Sequence, residues 1–151
     1  MLHSSLLSKL KRQWHKMNTQ IFVITHVPLA SALKEVVSHV FPNAKDIYVY
    51  DILPSDDPEV IQAKMEQDIQ QSHAQNILIF TDLIGATPAN IGMRVAQTLN
   101  PQHSAFFGGV NVCMLLNAVR YGDLTIDALK AKILEGGQKG MQSLDCSCIT
   151  S

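Results

Sequence analysis

Four short apolar runs divide the chain: IFVIT (21–25), IYVYDI (47–52), NILIFTDL (76–83) and SAFFGGV (104–110). The first and third are nearly continuous in Ile, Val, Leu and Phe, as a strand buried on both faces requires. Between the runs the apolar spacing changes to three and four. Leu29, Leu33, Val36, Val37 and Val40 line one predicted helix. Ile61, Met65 and Ile69 line a second, and Ile91, Val95 and Leu99 a third.

Helix ends are marked by residue type. Pro28 opens the first helix. Asp56 or Asp57 caps the second before Pro58, and Glu59 stands three residues after Asp56, as a capping box requires. Thr87 caps the third before Pro88. VNVCMLLNAVRYG follows the fourth strand and ends at Gly122. TIDALKAKILEGG then reads as a helix capped by Thr125 and stopped at Gly136–Gly137. The tail MQSLDCSCITS reads as a short final strand that needs a neighbouring edge. Strands alternating with helices predict an α/β fold, doubly wound around a mainly parallel sheet. In the flavodoxin-like order 2-1-3-4, the first and third strands are neighbours at the switch point, where ligands gather beyond the carboxyl ends.

Composition narrows the class. The 151 residues are 46% apolar and 17% charged, with a net charge of −1. That suits one globular domain and gives no reason to expect a nucleic-acid partner. No apolar run approaches the roughly 18 residues of a membrane span. The three cysteines, Cys113, Cys146 and Cys148, read as free thiols of a reducing cytoplasm. Cys146 and Cys148 lack a second pair or a nearby histidine, so no metal is predicted, and the glycine pair 108–109 lacks the spacing of a dinucleotide fingerprint and no Walker sequence is present, so no cofactor is predicted. The N-terminal segment is different. It carries Lys9, Lys11, Arg12 and Lys16 with no acidic residue, and Leu2, Leu6, Leu10 and Trp14 recur every four residues. It reads as an appended arm without chemistry, or else as a basic amphipathic helix for a membrane surface or a partner. The chain thus divides into a basic extension, residues 1–17, and a domain, residues 18–151.

The carboxyl ends of the predicted strands carry the candidate chemistry. The first ends in Thr25–His26, the second in Asp51, the third in Thr81–Asp82 followed by LIGATP, and the fourth in GGVN. The 2-1-3-4 order brings His26 and Asp82 to one rim. A carboxylate that accepts from one ring N–H fixes the tautomer and leaves the other ring nitrogen as an oriented nucleophile. Helix N-termini opening at Pro28 and Pro88 present N–H groups and partial positive charge to the same rim, which suits a phosphoryl group. Thr25, Thr81 and Thr87 add hydroxyls, and Gly85 lets backbone approach. On residue type alone, a strand-end histidine is more often structural or solvent-exposed than catalytic, and Asp82 also fits a loop residue bonding backbone N–H groups. His3, His15, His39, His73 and His103 read as surface residues.

The segments VITHVPLASALKEVV, DILPSDDPEVIQAKM, LIFTDLIGATPANIGMRVA and GGVNVCMLLNAV, in this order, resemble the IIA component of the mannose-type sugar phosphotransferase system, over about residues 20 to 140. The resemblance implies a flavodoxin-like cytoplasmic phosphotransferase component without cofactor or metal. It implies that His26 accepts a phosphoryl group from the carrier HPr and passes it to a IIB component during sugar uptake. It implies that Asp82 orients His26, and that Thr25, Val27, Thr81, Gly85 and Thr87 surround the phosphate. It also implies a homodimer that exchanges a C-terminal strand, here SLDCSCI, and contact with the membrane that is peripheral at most. Three positions depart from the family pattern. Val27 stands where relatives have Gly after the histidine, Ala86 replaces the second loop glycine, and Cys113 replaces a Pro. Val27 is the most consequential, since a β-branched residue narrows the backbone choices beside the acceptor. The same residues also fit a stand-alone regulatory phosphorelay, or a partner-binding module with no sugar permease.

Overall fold

The computed structural model describes residues 18–44, 47–145 and 147. Four parallel strands, β1 (Thr19–His26), β2 (Ile47–Ile52), β3 (Asn76–Thr81) and β4 (Ser104–Phe107), form one sheet of order β2-β1-β3-β4. The five described helices are α1 (Leu29–Val40), α2 (Pro58–Ser72), α3 (Thr87–Gln97), α4 (Val112–Arg120) and α5 (Ile126–Lys139). The fold class and the strand order expected from the sequence are both present.

The period-two alternation of strand side chains explains the layers. Ile21 and Val23 of β1, with Leu78 and Phe80 of β3, face one core, which is completed by α1, α4 and α5. Phe22 and Ile24 of β1, with Ile77 and Ile79 of β3, face the other, completed by Met65 of α2 and by Ile91 and Val95 of α3. Every residue of β3 is buried, so its run has no polar alternation. Strand register carries the same division across the sheet. Phe22 pairs with Tyr48 and their rings stack at 4.9 Å. Phe80 pairs with Phe107 at the same centroid distance.

Several predicted boundaries move, each for a local reason. β3 ends at Thr81, because the backbone then turns so that Asp82 accepts at its carbonyl from Gly109. β4 ends at Phe107 because Gly109 has φ +63°, incompatible with a strand. Pro28 is the N-cap of α1 rather than its first residue, and it follows a cis Val27–Pro28 peptide. In the predicted α1 stripe only Leu33 and Val37 are buried, joined by Ala30, while Leu29, Val36 and Val40 are exposed. Asp57 is the α2 cap, accepting from Glu59, whereas Asp56 accepts from Leu53. Ala86, not Thr87, is the α3 N-cap. The helix α5 continues through Gly136–Gly137 to Lys139. A Cβ on Gly137 would lie 2.6 Å from Met114 Cγ, and one on Gly136 would clash with Asn117. These glycines let α5 lie close against α4 and do not end it. The basic arm lies outside the described residues. So do positions 146 and 148–151 of the predicted last strand, while residues 141–145 are irregular.

A third close approach positions the rim. A Cβ on Gly92, in the middle of α3, would meet Phe106 Cε2 at 3.0 Å and Ile24 Cγ2 at 3.2 Å. Helix α3 therefore lies low over β1 and β4, and its first turn is carried in beside the end of β1. Gly92→Val is expected to push α3 off the sheet and to cost about 1–3 kcal/mol, read as a lower urea midpoint. Gly92→Ala should lie between it and the wild type. Equal midpoints for all three would show that α3 does not depend on this contact.

Candidate functional site

His26 is the last residue of β1, paired with Ile52 of β2. Its position at the end of an interior strand follows from the topology, with β2 on one side and β3 on the other. The β1–β3 register runs out at Ile24 and Thr81. Beyond it, the His26 backbone N–H donates to Asp82 Oδ2 at 3.0 Å. A side-chain carboxylate thus fills the place that a carbonyl of the next rung would take.

The same oxygen lies 2.8 Å from His26 Nδ1. The other carboxylate oxygen, Oδ1, accepts from the Leu83 N–H at 2.8 Å. Burial alone would raise the Asp82 pKa, but the hydrogen bonds from the His26 ring and from the backbone N–H groups of His26 and Leu83 outweigh it. They hold the carboxyl below its ordinary value. Asp82 is therefore an ionised, acceptor-only group, and the proton of the short contact belongs to His26 Nδ1. That leaves the lone pair on Nε2, which has no hydrogen-bond partner among the described residues. The His26 side chain is 52% exposed and that of Asp82 16%. The ring is thus open to solvent, and the carboxylate bonded to it is covered.

The two helix N-termini expected at this rim are not equivalent. At α1, the Asp51 carboxylate accepts from the Ser31 N–H at 3.3 Å, and from the Ser31 hydroxyl through a short contact. At α3, no side chain among the described residues caps the first turn. Thr87 is the first residue of that turn and is exposed. The loop from Asp82 to α3 turns at Gly85, with φ +89°, a backbone conformation that favours glycine. Ile84 crosses Gly108 so closely that a Cβ there would displace it.

The remaining predicted residues occupy definite places. Thr25 is fully buried, and its hydroxyl donates to the His26 carbonyl at 3.0 Å. Thr81 is also fully buried, and its hydroxyl oxygen has no hydrogen-bond partner among the described residues. Val27 is 44% exposed, and its N–H donates to Ile52 at 3.3 Å. His39, His73 and His103 are exposed, as expected, while His3 and His15 lie outside the described residues. Sequence reading placed Asp51 at a strand end but gave it no role. Its signal was a carboxylate one strand away from a serine in a helix's first turn, which becomes visible only once register is known. Among the described residues no cluster of three or more His, Cys, Asp or Glu is placed to hold a metal ion. No helix among them is long and apolar enough to cross a membrane.

Comparison with solved structures gives the same architecture. The mannose/sorbose-specific IIA subunit of the phosphotransferase system from Enterococcus faecalis superposes with a TM-score of 0.77 at 21% identity, covering 89% of this chain and 100% of that one. Phosphotransferase system component EIIA from Streptococcus agalactiae gives 0.75 at 16% identity, covering 83% and 96%. The PTS IIA protein associated with the fucose utilization operon from Streptococcus pneumoniae gives 0.72 at 18% identity, covering 85% and 94%. At such identities the likeness is one of fold. The family described as "PTS system fructose IIA component" matches residues 20–134, from β1 into α5. That span holds His26, Asp82 and, apart from Thr19, all four described strands, and the chain belongs to this family of phosphotransferase-system IIA components.

Proposed function

We propose that the protein is a phosphohistidine carrier: His26 accepts a phosphoryl group from an HPr-like phosphoprotein and passes it to a IIB component in sugar uptake. The observation that carries this reading is the doubly bonded Asp82 carboxylate, which places a proton on His26 Nδ1 and a lone pair on the exposed Nε2. In the accepting step Nε2 attacks phosphorus. The N–P bond of the donor's phosphohistidine breaks, and the donor nitrogen keeps the electron pair. As the bond to Nε2 forms, positive charge develops on the imidazole, and the ionised Asp82 beside Nδ1–H stabilises it. No residue of the chain needs to lose a proton for the step. The transfer is governed by positioning and charge, as expected where the protein supplies little covalent chemistry beyond the nucleophile. In the outward step the same bonds form and break in reverse order toward the IIB acceptor.

The phosphoryl oxygens are received by the first turn of α3, with the Thr87 hydroxyl and the backbone near Gly85 beside them. Thr25 and Thr81, both buried, support the strand ends behind the ring. The rim is shaped for a protein substrate. Leu83 is 62% exposed and Ile84 77%, and Val27 and Leu53 are exposed near the end of β1. An apolar collar around a half-exposed nucleophile suits a macromolecular donor and acceptor. Met141 and Leu144 are likewise exposed on the C-terminal segment, which supports a role for that segment in a homodimer.

Incubation with phosphoenolpyruvate and the general phosphotransferase proteins should add one acid-labile phosphate by intact mass, lost in His26→Ala. An unmodified wild-type mass with active upstream proteins would exclude the carrier and favour a partner-binding module.

Asp82→Asn should slow acceptance on the order of a hundredfold while the fold is retained. Normal transfer in this variant would remove Asp82 from the mechanism. The same variant should be less stable than wild type by about 1 kcal/mol at neutral pH, with one partner half-exposed. Because the folded Asp82 pKa lies below the unfolded value of about 3.9, this difference is fully present above that value. It should disappear as pH falls through the folded pKa. A difference that stays constant from pH 7 to pH 2 would show that the charge of Asp82 is not its source.

A further inference from the structure

Three glycines stand in the two loops beside Asp82, for different reasons. Gly85 and Gly109 have positive φ, and a Cβ on either would meet nothing within 4 Å among the described residues. Their backbone demands glycine, and the space around them does not. Gly108 is the reverse. Its φ is not positive, so its backbone would accept alanine. What excludes a side chain is Ile84, whose Cγ1 and Cδ1 fill the space that a Cβ on Gly108 would need.

Ile84 is nevertheless 77% exposed. One flank of its side chain rests on the bare backbone of Gly108, and the rest faces solvent. The loop beneath it is tied down. The Gly109 N–H donates to the Asp82 carbonyl at 2.9 Å, the Val110 N–H to the Thr81 carbonyl at 3.0 Å and the Ala86 N–H to the Leu83 carbonyl at 3.2 Å. Ile84 thus stands two residues after the carboxylate bonded to the His26 ring, on a loop held at both ends. A large apolar side chain left this exposed gains little for folding. Fixed shape with exposure is what a docking anchor needs, because little rotamer freedom is then lost on association.

We infer that Gly108 is a positioning residue for the phosphoprotein donor: its missing Cβ seats Ile84 as a fixed apolar anchor on which that donor closes over His26. The inference rests on the carrier reading and extends it to a residue of the β4–α4 turn that acts through Ile84. The donor must bring its phosphorus into line with Nε2, so the protein surface around that phosphorus falls on the loop that follows Asp82. Alanine at position 108 would force Ile84 into another rotamer, and the solvent around Ile84 leaves it room to go. The fold, the Asp82 carboxylate and the ring are then kept, while the anchor moves.

The test measures initial rates of His26 phosphorylation on the full chain against the concentration of phosphorylated donor, regenerated with phosphoenolpyruvate. It compares the wild type, Gly108→Ala, Ile84→Ala and the double variant. No clash remains in the double variant, because Ile84 Cβ lies 3.9 Å from the added Cβ. Each single substitution should raise KM for the donor roughly five- to twentyfold, as loss of an interface anchor does, with kcat within about twofold of wild type. The double variant should lose no more than Ile84→Ala alone, since both changes remove one anchor. Phosphoramidate serves as a second donor, too small to use that anchor. With it Nε2 attacks phosphorus, the P–N bond breaks, and the nitrogen leaves as ammonia with the bonding pair. This rate should be the same in all four proteins. A Gly108→Ala KM within twofold of wild type overturns the inference, as do losses that multiply in the double variant. An equal loss with phosphoramidate also overturns it, since the effect would then lie at the ring or at Asp82. If Gly108→Ala alone does not fold, Ile84→Ala and the double variant carry the test. A raised KM in both supports the inference, and a wild-type KM in either overturns it. Failure of the carrier reading is seen separately, in a wild-type chain that takes up no phosphate from the protein donor, and it overturns both readings.

Discussion

The site depends on one carboxylate accepting three hydrogen bonds. Asp82 takes the backbone N–H of His26, the ring N–H of His26 and the backbone N–H of Leu83. The first ties the end of β1 to the end of β3 where their register stops. The second fixes the tautomer of the ring. The third shapes the loop that leads to α3. Behind it, the Asp82 carbonyl accepts from Gly109, so the loop after β4 holds the same residue from the other side. Strand pairing, ring orientation and the path to α3 are thus coupled through one side chain. An ionised group in a covered position is tolerated because all of its hydrogen bonds come from the surrounding chain.

Much of this was legible in the sequence. The continuous apolar runs of β1 and β3 announced interior strands, and the alternation of strands with helices announced the parallel sheet. Once β1 and β3 were neighbours, His26 and Asp82 had to share a rim. What stayed hidden depended on distances between elements. Gly136 and Gly137 look like a helix stop, and only their contact with Met114 and Asn117 shows why a helix keeps them. Thr87 looks like a cap, but the turn at Gly85 moves the helix start forward by one residue and gives that place to Ala86. Leu29, Val36 and Val40 fit the period of a buried face, yet Ala30 lies against the sheet and they do not. Periodicity gives the helix but not its rotation to within one residue.

The two helix ends at the rim show why residue type alone could not assign their roles. Both follow a strand and both carry a proline near their start. They differ because Asp51, the next-to-last residue of β2, pairs with Thr25 and so lies on the face where its carboxylate meets Ser31. The asymmetry arises from pairing across the sheet, not from anything within either helix.

The ladder does not stop at the histidine. Val27 continues it by donating to the Ile52 carbonyl, while the residue before it is bound to Asp82 on the other edge. The end of β1 is therefore held toward both neighbouring strands, by the Val27 N–H on one side and the His26 N–H on the other, and with Nδ1 bonded to Asp82 only the Nε2 edge of the ring is open. A group mounted this way has no arm on which to travel. Handing over a cargo then falls to the visiting surface, which must bring its own reacting atom into line with a stationary one. In the relay proposed above, the fixed post is this chain, and the tolerance for misalignment belongs to its partners.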